Sequence, residues 1–179
     1  QYSDPDSTFN LTPQLGLLDN LGISVGVTTD INGLARSSPP DMGAVEFTAV
    51  SEPLSGTIPI GSGDYLTISD AVAALESLGV DGAVTFEIEN GTYNEQVEIF
   101  PVPGASLVNT VTFQPAVDAS VTWQYAQNAD NNYILKLTSA DHIQIKNITF
   151  QALGEISGQI IVLEGSSDNV VLEGNTFVG

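Results

Sequence analysis

The sequence predicts an all-β fold, a parallel β-helix in which short strands stack coil upon coil, with one short helix as a cap. Three observations carry this expectation. The first is an internal repeat: Asp141-His142-Ile143-Gln144-Ile145-Lys146-Asn147-Ile148-Thr149-Phe150 aligns without gaps with Asp168-Asn169-Val170-Val171-Leu172-Glu173-Gly174-Asn175-Thr176-Phe177, at an offset of 27 residues. A period of about 20 to 50 residues marks an architecture whose units bury their apolar faces against one another. The second is alternation of apolar and polar residues from Val80 onward, the pattern of strands with one buried face. The third is that helical periodicity occurs once, so no helices separate the strands of the repeat.

Taken in order, residues 1–48 are turn-rich. Asn10-Leu11-Thr12-Pro13, Asp19-Asn20, Asp30-Ile31-Asn32-Gly33 and Ser37-Ser38-Pro39-Pro40 separate the apolar runs Leu15–Leu18, Ile23–Val27 and Ala44–Phe47, which read as short strands. Residues 49–56, with Pro53 and Gly56, read as a linker. The helix is expected over Ile68–Leu78, because Ile68, Ala71, Val72, Leu75 and Leu78 follow the spacing of one buried stripe. Thr67 can cap it, Asp70 suits the positive end of its dipole, and Gly79 can end it in a left-handed conformation. Strands follow at Val84–Ile88, Val97–Ile99, Val111–Phe113 and Val121–Trp123, with a tight turn at Asn90-Gly91. In the repeat, Phe150 and Phe177 should stack inside. Asn147 aligns with Gly174 and Asn175 with Ile148, so the corner asparagines are out of register and no asparagine ladder is expected.

Composition limits the partners. There are 22 acidic residues against Arg36, Lys136 and Lys146, a net charge of -19. Such a surface repels nucleic acid, anionic lipid and anionic polysaccharide. With 42% hydrophobic residues the chain is too apolar for a disordered acidic tail, so the carboxylates decorate a folded core. Cysteine is absent, which removes disulfides, thiol nucleophiles and thiolate metal sites. No apolar stretch approaches the ~20 residues that cross a bilayer, so no membrane insertion is expected. The ends, Gln1 and Gly179, read as those of a piece of a longer chain.

Ile60-Gly61-Ser62-Gly63-Asp64-Tyr65-Leu66-Thr67-Ile68-Ser69-Asp70-Ala71-Val72, followed by Gly91-Thr92-Tyr93-Asn94-Glu95-Gln96-Val97-Glu98-Ile99, resembles the opening of pectin-esterase-like right-handed β-helices. The resemblance covers about residues 57–179. It implies a helix over the open N-terminal end of the solenoid and a Gly-Thr-Tyr-x-Glu turn leading into the first coils. Separately, Asp30-Ile31-Asn32-Gly33-Leu34-Ala35-Arg36 with Asp41-Met42-Gly43-Ala44-Val45-Glu46 resembles the closing motif of other secreted β-helix proteins. Together these imply the C-terminal end of one β-helix domain (1–48), a linker (49–56), and the capped start of a second (57–179). Tail before head is similar to a cut across the tandem arrays of giant adhesins and surface filaments exported through the type IX pathway of gliding and other bacteria. The location implied is extracellular, on the bacterial cell surface. The partners implied are neighbouring β-helix domains of the same chain, a glycan or surface ligand, and the secretion machinery during export.

Candidate chemistry is sparse. Pectin esterases use two carboxylates, oxyanion glutamines and an arginine, and Gln159 stands where the resemblance puts the first of those glutamines. A coil-corner role competes with it, and both catalytic aspartates and the arginine would lie beyond Gly179. His142 stands without Ser or Cys partners arranged for nucleophilic catalysis. Asp30 and Asn32, and Asp130 and Asn132, sit in oxygen-rich loops whose hard ligands suit Ca²⁺, with solvated turns as the competing reading. Asn10, Asn90 and Asn147 fall in glycosylation sequons, a frequent chance pattern. Arg36 is expected to pair with Asp30, Asp41 or Glu46. The function expected is a non-enzymatic structural and adhesive module of a large surface protein. The alternative is a truncated carbohydrate-active β-helix, esterase- or lyase-like, whose catalytic coils lie beyond Gly179. Three basic residues cannot line a cleft for polyuronates.

Overall fold

The computed structural model describes residues 22–46, 52–129, 132–154 and 158–179. The chain divides into two compact units, Gln1–Ser51 and Glu52–Gly179. The larger begins with β1 (Leu54–Ile60), which starts inside the stretch read as a linker, and α1 (Ile68–Leu78). Coil one comprises β2 (Val80–Ile88), β3 (Gly91–Asn94) and β4 (Val97–Ile99). Coil two comprises β5 (Val111–Pro115), β6 (Val121–Tyr125) and β7 (Leu135–Thr138). Coil three comprises β8 (Ile143–Lys146), β9 (Thr149–Ala152) and β10 (Ile161–Glu164), and the last coil holds β11 (Val171–Glu173) and β12 (Thr176–Val178).

Coils one to three each give one strand to each of three sheets, and the last coil gives strands to two of them. The orders are β1-β2-β5-β8-β11, β3-β6-β9-β12 and β4-β7-β10, and every pairing between named strands is parallel. Parallel neighbours need a long crossover, and here the rest of the coil supplies it. The unit is therefore a parallel β-helix of about four turns with a single short helix. The repeat offset survives as strand register: Ile145 pairs with Leu172, Thr149 with Thr176 and Phe150 with Phe177.

The core is built from inward rows of that register. Phe86 stacks on Phe113 with ring centroids 4.9 Å apart, Trp123 on Phe150 at 5.3 Å, and Phe150 on Phe177 at 5.8 Å. Phe150 is fully buried, whereas Phe177, on the last coil, is 50% exposed. The corners explain why the asparagines do not form a ladder. Asn147 and Gly174 occupy one corner position at φ +56° and +66°, a conformation that Asn and Gly tolerate best. A side chain at Gly174 would collide with the Asn147 amide oxygen. Asn175 instead accepts from the Ile148 N–H (3.0 Å) and donates to the Ile145 carbonyl (2.8 Å), tying the last coil to its predecessor.

Helix α1 has the expected bounds. The Thr67 hydroxyl accepts from the Asp70 N–H and the Asp70 carboxylate from the Thr67 N–H, both at 3.0 Å, a reciprocal cap. Gly79 does take a positive φ of 69°, but its ψ of −164° is extended rather than left-handed helical, because the chain enters β2 at once. Ile68, Ala71, Val72 and Leu75 are buried as the helix packs on β4, the edge strand of its sheet, and on β1. The Glu95 carboxylate accepts from the Ile68 N–H (3.1 Å), the Ser69 N–H (2.9 Å) and the Ser69 hydroxyl (2.6 Å). The Gly91–Asn94 stretch, expected as a turn, is strand β3, because it pairs with β6, and Glu95 just after it supplies acceptors for N–H groups that a helix start leaves unpaired.

In the first unit, the strands expected over Ile23–Val27 and Ala44–Phe47 do not form among the described residues, where the one pairing is an isolated antiparallel bridge between Thr29 and Ala35. Ile23 and Val25 are 85% and 80% exposed, so their alternation has no buried face to serve. Val45 is buried, and the Ala44 carbonyl accepts from the Ile31 N–H at 2.9 Å. Leu15–Leu18, Asn10 and Phe47 lie outside the described residues.

Candidate functional site

The two fragments of the first-unit motif meet in a polar clamp. Asp30 uses both carboxylate oxygens: one accepts from the N–H groups of Asn32 and Leu34, each at 2.8 Å, and the other from the Glu46 N–H at 3.0 Å. Burial pushes the Asp30 carboxyl up, but the three N–H donors and the nearby Arg36 charge outweigh it and leave its pKa lowered. Arg36 donates to the carbonyls of Asp41 (3.2 Å) and Gly43 (2.7 Å) and pairs with the Glu46 carboxylate at 3.5 Å. Glu46 accepts from the N–H groups of Ser37 (2.6 Å) and Asp41 (3.3 Å). Hydrogen bonding from Ser37 is the main cause of its lowered pKa, against the opposing effect of burial. Of the three partners expected for Arg36, Glu46 gives the ion pair, Asp41 offers its main chain, and Asp30 acts through its charge.

Asp30 therefore serves the backbone, and the N–H of Asn32 is one of the groups that it holds. Among the described residues, no group of three or more His, Cys, Asp or Glu is placed so that it could hold a metal ion. Asp130 lies outside them, and the Asn132 carbonyl accepts from the Gln159 N–H at 3.2 Å. Gln159 is exposed in the loop before β10, and its carbonyl accepts from the Gln127 side chain at 3.4 Å. Gln127, which sequence reasoning missed, is buried, and its side-chain oxygen accepts from the Gly154 N–H at 3.3 Å. A signal was present, since Gln127 and Gly154 lie one period apart. His142 works through its main chain at a positive-φ corner: its N–H donates to the Asp168 carbonyl (3.0 Å) and its carbonyl accepts from Val111 (3.1 Å).

The outward face of the β4-β7-β10 sheet carries a charged ladder that the sequence did not announce. Lys136 bridges Glu98 at 3.1 Å and Glu164 at 3.3 Å, spanning three coils, and stands 5.5 Å over the Tyr133 ring. Glu98 also accepts from the hydroxyls of Thr138 (2.6 Å) and Tyr133 (3.5 Å). Burial raises the Glu98 carboxyl, but Thr138, Lys136 and Tyr133 together bring it below its ordinary value. Glu98 chiefly, with Glu164, raises the Lys136 pKa. With Lys146 at 3.5 Å from Glu173, all three basic residues of the chain are in ion pairs. Each is already held by a carboxylate of the chain itself, so none stands ready for an anionic ligand.

Against this geometry, known proteins were compared by family model, by curated sequence and by solved structure. None of the three comparisons gives a match. Among the described residues, no helix is long and apolar enough to cross a membrane.

Proposed function

We propose that the chain is a non-enzymatic structural and adhesive module of a large secreted bacterial surface protein, which presents a rigid solenoid at the cell exterior. The observation that carries this reading is the coil stack itself. Its rows of buried aromatic and aliphatic side chains, ladder hydrogen bonds and interstrand ion pairs give a stiff body without disulfides. The acidic surface supports it, since strong net charge keeps an exported module soluble and apart from its copies. Neighbouring domains of the same chain, the export machinery and a surface ligand are the partners that fit. The test is attachment: a strain deleted for the parent gene should lose adhesion to its surface, and the intact gene should restore it where a version lacking this segment does not. Normal attachment by the deletion strain would refute the reading.

A further inference from the structure

The three sheets of the solenoid differ in the charge of their outward faces. The β1-β2-β5-β8-β11 sheet displays Glu87, Lys146 and Glu173, and the β4-β7-β10 sheet displays Glu98, Lys136 and Glu164. The strands of the third sheet, β3, β6, β9 and β12, contain no charged residue. In a chain of net charge -19 this is a distinct surface.

Its outward side chains stand in two columns. Thr92, Thr122, Thr149 and Thr176 pair in unbroken register across all four coils. Beside them run Asn94, Gln124 and Gln151, ending at Val178. The residues between the columns point the other way: Tyr93, Trp123 and Phe150 hold the sheet on the core, and Phe177 stacks on Phe150. Among the described residues, no side-chain hydrogen bond engages these hydroxyls and amides. The face therefore offers donors and acceptors repeated at the strand spacing of about 4.8 Å.

We propose that this uncharged ladder is the ligand-binding face of the module, and that its ligand is a neutral linear glycan lying along the solenoid axis. The inference rests on the proposed presenting role and gives it a site. Hydroxyls and amides both donate and accept, as sugar hydroxyls do, and a linear glycan repeats its hydroxyl set at each sugar along one direction. A polyanion is repelled by the surrounding carboxylates, and a cationic partner would gain more from the other two sheets. A second copy of the chain carries the same large negative charge and is repelled likewise. Gln159, in the loop before β10, lies outside this sheet. Threonine columns also stabilise sheets through cross-strand pairing, so the test must separate the two roles. Thr→Val does so, because valine keeps the β-branched shape and loses the hydroxyl.

The experiment titrates the full 179-residue chain, labelled for amide NMR, with hexamers of β-1,4-glucan, β-1,3-glucan and β-1,4-mannan. Hexagalacturonate serves as the anionic control. At least one neutral hexamer should shift the side-chain amides of Asn94, Gln124 and Gln151, and hexagalacturonate should shift none. The double variant Thr122→Val/Thr149→Val should bind about tenfold more weakly, with an unchanged urea midpoint. If that variant fails to fold, Gln124→Ala/Gln151→Ala reads the same face. The proposal is overturned by no binding of any neutral hexamer, by shifts centred elsewhere, by equal binding of hexagalacturonate, or by undiminished binding in the variants. Self-association that the variants abolish would make the face a contact between copies and overturn it too. Failure here leaves the module reading to the attachment test, whereas turnover of a bound glycan would remove that reading and leave the face in place.

Discussion

Replacing Phe150 by alanine removes the middle ring of a stack that joins three coils. Phe150 is fully buried between Trp123, 5.3 Å away, and Phe177, 5.8 Å away. Truncating a buried phenylalanine costs about 3–5 kcal/mol, from lost burial and the cavity left behind. For a chain of this size that lowers the melting temperature by about 6–20 °C. Phe177→Ala should cost much less, about 1–2 kcal/mol, because half of Phe177 is already exposed and one ring, not two, is its stacking partner. The assay is urea unfolding followed by tryptophan fluorescence. Trp123 is the single tryptophan and lies buried against Phe150, so the signal comes from the stack. Equal losses for the two variants, or a larger loss for Phe177→Ala, would refute the stacked-coil reasoning.

Leu75→Asp puts a carboxylate on the buried stripe of the capping helix, and a loss of about 3–5 kcal/mol in urea unfolding is expected, as for an uncompensated buried charge; an unchanged midpoint would show the helix to be peripheral. Lowered carboxyl pKa values at Asp30, Glu46 and Glu98 mean that the folded chain binds fewer protons than the unfolded chain as these groups titrate. Their stabilisation is complete above the ordinary carboxylate range near pH 4 and is lost as pH falls through the lowered values. In urea unfolding at high salt, which screens general repulsion, Glu98→Gln should flatten this acid slope. Between about 0.01 and 0.15 M NaCl the melting temperature should rise, because self-repulsion of the acidic surface is screened; a fall would show that the interstrand ion pairs outweigh it.

The parts legible in the sequence were those written locally or repeated at constant spacing. The helix could be read to its ends because Thr67, Asp70 and Gly79 are neighbours of the stripe they bound. Coils three and four were legible because their strands match at one offset, and the register of Phe150 with Phe177 keeps it. In the earlier coils alternation shows strands β2, β4, β5 and β6, but their stacking is hidden by longer loops, such as that between β6 and β7, which displace the period without disturbing the stack. Contacts between coils were hardest to see. Glu95 holds the first N–H groups of α1 from a residue separation of 27, and Lys136 joins carboxylates of two other coils, neither of which local spacing announces. In the first unit the motif residues are visible as a set, but their division of labour is set by how the two fragments fold together. Asp30 binds main chain rather than Arg36, and the Ile23–Val27 alternation signals a strand that no described neighbour pairs.

Turnover by the purified 179-residue chain is the measurement that bears most directly on the proposed role. Esterified pectin, polygalacturonate and neutral glycans are incubated with it, and methanol, new reducing ends and unsaturated products are followed against a buffer blank. A structural and adhesive module yields none of the three above the blank. Release of any one of them from any of these polymers would contradict the proposal.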